Sequence, residues 1–262
     1  MAERDGSSAG WDESRSRLWL ENIEARERQL ETIADALFDH AQLVAGERVL
    51  DVGCGSGATT ARAAGSVAPE VGGHPAGLEE TGQVLGTDIS PAMIAAARER
   101  YPRQSIDWLV ADAQTHDFGA ASYDAVISRF GVMFFADPEA AFANLARACR
   151  PGGRLAVTVW QRRSAVSCFT VPLEVVLSTL AERCVTHRPP PPEDAGAFSL
   201  SDESAVRSLV AEAGWSDVNC IPDDRPLYLG GPGEPEHVVE AALHSHAVEY
   251  VLEGQPADVV DD

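Results

Sequence analysis

The sequence contains no apolar run of the ~18 residues that a membrane-crossing helix needs. Its polar start, MAERDGSSAGWDESRSRL, lacks the apolar stretch of a signal peptide. Basic residues are scarce: 20 Lys+Arg stand against 41 Asp+Glu, a formal net charge of −21. A surface this acidic repels phosphate backbones and anionic headgroups, which argues against nucleic acid or membrane as a partner. Otherwise the charge simply keeps the protein soluble. Cysteines are few, odd in number and scattered: Cys54, Cys149, Cys168, Cys184 and Cys220, with no CxxC pair and no zinc-like cluster. Free thiols in a reducing cytoplasm are therefore expected, and neither a disulfide framework nor a metal site. Apolar residues are not lacking. With 45 % hydrophobic and 23 % charged residues, 262 positions suffice for a core without staples.

Residues 1–10 read as disordered, and residues 12–44 as helical, with Leu18, Trp19, Ile23, Leu30, Ile33, Ala34 and Leu37 at helix-like spacings and Gly46 as the stop. Short apolar runs at 48–52, 83–88, 105–110, 123–128 and 154–160 read as strands. Helical stretches at 58–66, 91–101 and 138–149 separate three of these strands from their successors, and Pro151-Gly152-Gly153 makes a turn before the last. Alternation of this kind implies a parallel sheet with helices on both faces, a doubly wound α/β fold. After Trp160 the rhythm loosens. Helices are expected at 171–184, 202–213 and 235–252, a surface loop around the four prolines 189–192, and an irregular or edge strand at 216–229.

The strongest chemical signal is Val49-Leu50-Asp51-Val52-Gly53-Cys54-Gly55-Ser56-Gly57, a buried strand running into three alternate glycines and then a helix. Glycine lets the backbone approach a ligand with no Cβ in the way. Such loops lie at the carboxyl ends of strands, where doubly wound folds bind ligands. Gly53, Gly55 and Ala58 also satisfy the GxGxxA dinucleotide fingerprint, so a nicotinamide or flavin enzyme competes at this point. Asp88 ends the second strand, where a carboxylate can accept hydrogen bonds from both ribose hydroxyls. Its bland alternative, capping the next helix, falls better to Ser90. Asp112 follows the third strand and can meet an adenine amine or be an ordinary loop aspartate. Beyond the fourth strand, Gly131-Val132-Met133-Phe134-Phe135 can wall a pocket or pack as core.

The ordered set VLDVGCGSG, GTDIS, ADAQ, YDAVISRFGVMFFADP and LARACRPGGRLAV resembles the class I S-adenosylmethionine-dependent methyltransferases, most closely the small-molecule branch that includes the ubiquinone and menaquinone biosynthesis enzymes. The resemblance is close over about 45–160 and looser over 12–44 and 200–230. It implies a Rossmann-like, mostly parallel sheet with an N-terminal helical lid, and a division into a disordered segment plus lid (1–44), a cofactor-binding core (45–160) and acceptor-side helices with any remaining strand (161–262). It implies S-adenosylmethionine as cofactor, with S-adenosylhomocysteine as product. Asp51, Gly53, Cys54 and Gly55 would line the methionine half, Asp88 would bind the ribose, and Ile89 and Met93 would flank the adenine. Asp112 and Ala113 would meet the adenine edge, and Ser128 would sit by the methionine amino end. Trp19 and Asn22 would belong to the lid. The family's antiparallel strand pair has only 216–229 as a candidate member, and the loop 66–82 is longer than the family's.

Methyl transfer needs alignment more than side-chain chemistry. A base is required only for a hydroxyl, phenol or carbon-acid acceptor. His116, His187, His237, His244, His246 and Tyr228 are weak candidates for it, and Arg129 is a cation that can bind an acidic substrate or pair with a carboxylate. Trp19, Arg129, Phe130 and Trp160 are the expected acceptor-pocket residues. Two further readings stay open: a cofactor-bound protein performing a non-methylating reaction such as cyclisation, and a cofactor-binding accessory subunit. A small-molecule substrate is expected as partner, and a homodimer is left open.

Overall fold

The computed structural model describes residues 13–68, 70–71, 74–75, 82–103, 105–227, 239, 242–243, 245–256 and 259. Along the chain come α1 (Glu13–Glu21), α2 (Ile23–Gln29), α3 (Glu31–Ala41), β1 (Arg48–Val52), α4 (Ala58–Val67), β2 (Gln83–Asp88), α5 (Pro91–Arg100), β3 (Ile106–Val110), β4 (Tyr123–Arg129), α6 (Pro138–Ala148), β5 (Cys149–Thr158), α7 (Ser167–Glu182), α8 (Glu203–Glu212) and α9 (His246–Leu252). A short antiparallel pairing of Glu70–Val71 with His74–Pro75 lies between α4 and β2. The five main strands form one sheet in the order β3-β2-β1-β4-β5, every pair parallel. The order reverses beside β1, which opens a crevice at the carboxyl edge between β1 and β4.

Side-chain alternation sets the layers. Val49 of β1 joins Ala125 and Ile127 of β4 in an apolar cluster with Ala63, Ala64 and Val67 of α4 and Ala41 of α3. Leu50 and Val52 point the other way, into a cluster with Val126, Phe142, Leu145 and Val210. Both faces are thus covered, as an all-parallel sheet requires. A smaller apolar cluster joins α7 to α9 through Leu173, Leu180, Val248 and Val251. No described helix is long and apolar enough to cross a membrane.

The structure corrects three expectations. Residues 13–41 form three helices instead of one, with breaks at Asn22 and Leu30. Their apolar residues serve different partners: α1 reaches α5 through Ser16 and Ser90, while Ala34, Leu37 and Ala41 of α3 are buried in the core. A straight rod cannot serve both. Pro151-Gly152-Gly153 is a bulge inside β5 and not a turn before it. Tyr123 pairs with Cys149 and Ala125 with Arg154, and Gly152 takes a φ of 78°. Trp160 consequently lies past the strand's end at Thr158. Residues 216–227 form no strand. Pro222 and Pro226 remove ladder donors, and Arg225 ties the segment to α3 through the Thr32 carbonyl (3.1 Å) and Asp39 (3.0 Å). Residues 228–229 lie outside the described ones, as do residues 1–12. Among the described residues the sheet therefore has five strands and no antiparallel member.

The long insertion after α4 leaves and returns at one point. The Gly82 N–H donates to the Val67 carbonyl at 3.2 Å, so the loop's length costs the core little. At the opposite end, Arg154 of β5 forks onto both carboxylate oxygens of Glu47 (2.7 Å each) and onto the Ala41 and Gln42 carbonyls, fixing the end of α3 to the start of β1. The chain contains no lysine, so all such ties are made by arginine.

Gly86 of β2 pairs with Trp108 of β3, whose ring covers it. A Cβ at Gly86 would come within 2.7 Å of that ring. The same ring lies where a Cβ on Gly57 would fall, at 2.5 Å. Gly86→Ala should therefore push Trp108 off its seat and destabilise the fold by about 1–3 kcal/mol, the usual range for overpacking, read by urea denaturation.

Candidate functional site

The carboxyl edge of β1 opens into a loop in which Gly53, Gly55 and Gly57 take φ values of 64°, 54° and 91°. Only glycine adopts these freely. At Gly53 the reason is also steric: a Cβ would lie 2.6 Å from the Gly131 Cα, so the segments after β1 and β4 touch backbone to backbone. A Cβ at Gly55 would meet nothing within 4 Å, which leaves that stretch of backbone bare.

Asp51 lies two residues before Gly53 on the same side of β1 as Val49, beneath the first turn of α4. It is fully buried. The hydroxyls of Thr59 (2.7 Å) and Thr60 (2.6 Å) both donate to its Oδ2. Its Oδ1 is buried without a partner. Burial pushes the carboxyl up to about 6, the two threonine hydroxyls and Arg129 opposing that rise. Asp88 ends β2 and is also buried. Its Oδ1 accepts from the Ser90 N–H (2.8 Å) and its Oδ2 from the Gly55 N–H (2.9 Å), so it bridges β2 to the glycine loop. Burial raises its pKa as well. Ser90 caps α5 by accepting from the Met93 N–H, as expected. Each Asp88 oxygen keeps lone-pair capacity for a hydroxyl.

The N-terminal helices close over this edge. Arg129, on the β4 face that carries Ile127, donates through Nη2 to Glu27 Oε2 of α2 at 2.7 Å. Both side chains are largely covered, at 9 % and 17 % exposed. The Ser56 hydroxyl donates to the other Glu27 oxygen at 3.5 Å. The Ser16 and Ser90 hydroxyls meet at 2.9 Å. Beside the Glu27–Arg129 pair lies a cleft of about 290 Å³ lined by Glu27, Glu31, Thr59, Arg62 and Arg129, among others.

The remaining expected residues divide. Ser128 is fully buried and structural: its Oγ donates to the Val52 carbonyl (2.7 Å) and accepts from the Gly131 N–H (3.1 Å). Strand alternation turns its side chain to the opposite face from Asp51 and Arg129. Cys54 is buried with its thiol on the Gly55 carbonyl, and burial raises its pKa, so any ligand contact there comes from backbone. Met93 is fully buried and Ile89 is 38 % exposed. Asp112 holds a local turn by accepting from the Gln114 N–H (2.9 Å), and the Ala113 carbonyl accepts from Asn144 (2.9 Å). His116 packs edge-on against Phe118 at 4.8 Å. His187 bonds the Arg188 carbonyl, while His237, His244 and Tyr228 lie outside the described residues. Phe130, at a φ of 66°, stacks on Trp160 with centroids 4.2 Å apart. Trp160 meets Phe169, and Phe169 meets Phe198. Trp19 of α1 is covered by the Arg26 guanidinium of α2.

Sequence reasoning did not single out Glu27, Thr59 or Thr60, and gave Ser56 and Gly131 no role of their own. The two threonines were findable, since polar residues in the first turn of a helix buried against a strand that ends in aspartate call for a hydrogen-bonding reason. Glu27 carries no local signal.

The donor set suits one ligand chemistry. An orphaned carboxylate oxygen at the end of β1 suits a cationic donor such as an α-ammonium, bare Gly55 backbone suits close approach, and a second carboxylate one strand away suits a ribose diol. The residues present therefore fit S-adenosylmethionine. A family profile described as a methyltransferase domain matches residues 50–157. An aklanonic acid methyltransferase of Streptomyces sp. (strain C5) is 38 % identical over 125 residues, 47 % of this chain and 52 % of that protein. A demethylmenaquinone methyltransferase of Renibacterium salmoninarum is 28 % identical over 187 residues, 69 % of this chain and 71 % of that protein. The match to the first thus spans about half of that relative's length. A methyltransferase of Aquifex aeolicus shares the fold with a TM-score of 0.53 at 17 % identity, over 78 % of this chain and 88 % of that one. So does phosphoethanolamine N-methyltransferase 2 of Haemonchus contortus, with a TM-score of 0.52 at 22 % identity, over 77 % of this chain and 43 % of that one.

Ser128→Ala would leave a buried carbonyl and a buried N–H each one bond short. Denaturant unfolding should register a loss of about 1–3 kcal/mol, and an unchanged midpoint would contradict the structural role given to Ser128.

Proposed function

We propose, taking residues 50–157 as the methyltransferase domain they match, that this chain transfers a methyl group from S-adenosylmethionine to a small-molecule acceptor. When bound, the cofactor supplies a methyl group on a sulfonium, which an acceptor displaces in line. The chain binds, orients and excludes water. Asp51 holds the ammonium end, the Gly53–Gly55 backbone lies along the methionine tail, and Asp88 takes the ribose hydroxyls. Alignment supplies most of the rate, and a dry pocket helps because charge disperses in the transition state. The single observation that carries this reading is the buried, half-satisfied Asp51 carboxylate at the foot of three positive-φ glycines, with Asp88 bridged to the same loop.

In this reading residues 1–44 comprise an N-terminal segment and the helical lid, 45–160 the cofactor core and 161–262 the acceptor side. Support for the last comes from the aromatic row Phe130, Trp160, Phe169 and Phe198, partly exposed past the ends of β4 and β5. Such a wall favours a planar, largely apolar acceptor. The five unpaired cysteines accord with a reducing cytoplasm.

Isothermal calorimetry tests the proposal directly: S-adenosylhomocysteine should bind saturably and NAD should not, and the reverse pattern overturns it. Asp88→Ala should weaken S-adenosylhomocysteine about ten- to hundredfold, since it removes hydrogen bonds to a charged acceptor.

A pH dependence follows from Asp51. Its folded carboxyl titrates at about 6 in the free protein, and an ammonium beside it favours the ionised form and lowers that value. Above about 6 the group is already charged and binding is independent of pH. Below about 6 binding must expel its proton, so affinity should fall by up to about tenfold per pH unit. Titrations between pH 5 and 8 should show the bend in the wild type and lose it in Asp51→Asn.

A further inference from the structure

The Glu27–Arg129 pair is poorly explained as a stabiliser. Burying two charges costs desolvation that a single contact barely recovers, and one contact is what the pair has: Arg129 Nη2 to Glu27 Oε2 at 2.7 Å. Its position is more informative than its strength. Arg129 lies two residues beyond Ile127, which pairs with Asp51 across β1 and β4. The guanidinium is close enough to Asp51 to oppose the rise in its pKa. It therefore flanks the same bare glycine backbone on which the methionine tail is placed above. Glu27 reaches that spot from a seven-residue helix broken at both ends, and its second oxygen receives the hydroxyl of Ser56, a residue of the glycine loop itself.

We infer that the Glu27 side chain holds the place of the cofactor's α-carboxylate: Arg129 exchanges the lid carboxylate for the cofactor carboxylate on binding, and Arg129 thereby selects ligands that carry the amino-acid tail. The inference rests on the methyltransferase reading. The chemistry of the two anions is the same, a carboxylate on a short aliphatic stem, and Arg129 supplies the planar fork that suits either. The exchange also has somewhere to put the displaced group, because Glu27 borders the 290 Å³ cleft between the lid and α4. Arg28 and Arg62 line that cleft together with Glu31, Ala34 and Ala58, so two cations stand within it for the freed carboxylate. The exchange partner thus already stands beside Arg129, which keeps the guanidinium from being buried without an anion.

The test compares S-adenosylhomocysteine with 5′-methylthioadenosine, which shares the adenosine and the sulfur but lacks the amino-acid tail. Calorimetry on the full chain reads both affinities, and thermal melts confirm that each variant is folded. Arg129→Gln should weaken S-adenosylhomocysteine roughly ten- to hundredfold and leave methylthioadenosine within about twofold, with Arg129→Lys recovering part of the loss. Glu27→Gln, which removes the competing charge, should tighten S-adenosylhomocysteine several-fold and leave methylthioadenosine unchanged. Parallel shifts of both ligands in Arg129→Gln, or weaker S-adenosylhomocysteine binding in Glu27→Gln, would overturn the exchange while leaving the methyltransferase reading intact. Wild-type protein that binds neither ligand overturns both.

Discussion

A fully buried carboxylate sits at the end of β1, and the residues of the crevice are arranged around it. Asp51 is fully buried, and two threonine hydroxyls from the first turn of α4 reach only one of its oxygens. An uncompensated buried charge is costly, and the protein meets the cost in part by placing Arg129 nearby and in part by letting the carboxyl titrate near 6. The unmet oxygen is the kind of defect that persists in a folded protein when a ligand completes it. The glycines that follow serve the same end, because a side chain at Gly53 would drive the β1 and β4 termini apart.

Several residues with an evident structural duty stand next to this centre, and they show how little of the site is free to vary. Ser128 staples the Val52 carbonyl to the Gly131 N–H, fixing the strand ends whose separation defines the crevice. Asp88 holds the Gly55 N–H and so sets the curvature of the glycine loop. Trp108 fills the gap left by Gly57 and Gly86 together, joining the loop to β3. Among the described residues, polar contacts that tie α1 and α2 to the sheet edge and α5 include Ser16 to Ser90, Glu24 to Arg100 and Glu27 to Arg129, whereas α3 is anchored in the core.

The five strands, their flanking helices and the glycine loop were legible in the chain because each depends on short-range pattern. Apolar runs of five or six residues, punctuated by Gly, Pro and Asp, dictate parallel strands wherever they fall. Asp51 and Asp88 were legible for the same reason, as polar residues at the ends of apolar runs. Alternation along β4 also turns the Ser128 side chain away from Asp51, to the face where it bonds the Val52 carbonyl. The segment 216–227 misled because branched residues suggested a strand, while its prolines and Arg225 committed it to α3.

What the amino-acid order determined by itself was the layered sheet, the bare loop at its edge and two acidic residues one strand apart, since hydrophobic period and glycine conformational freedom act over a few bonds. Only tertiary structure decided which oxygen of Asp51 stays unmet, that Arg129 faces a carboxylate from the lid, and that the N-terminal helical pattern breaks into three. Those outcomes depend on contacts between residues such as Glu27 and Arg129, 102 positions apart. No local periodicity encodes such a separation; it is set by which faces the packed layers bring together.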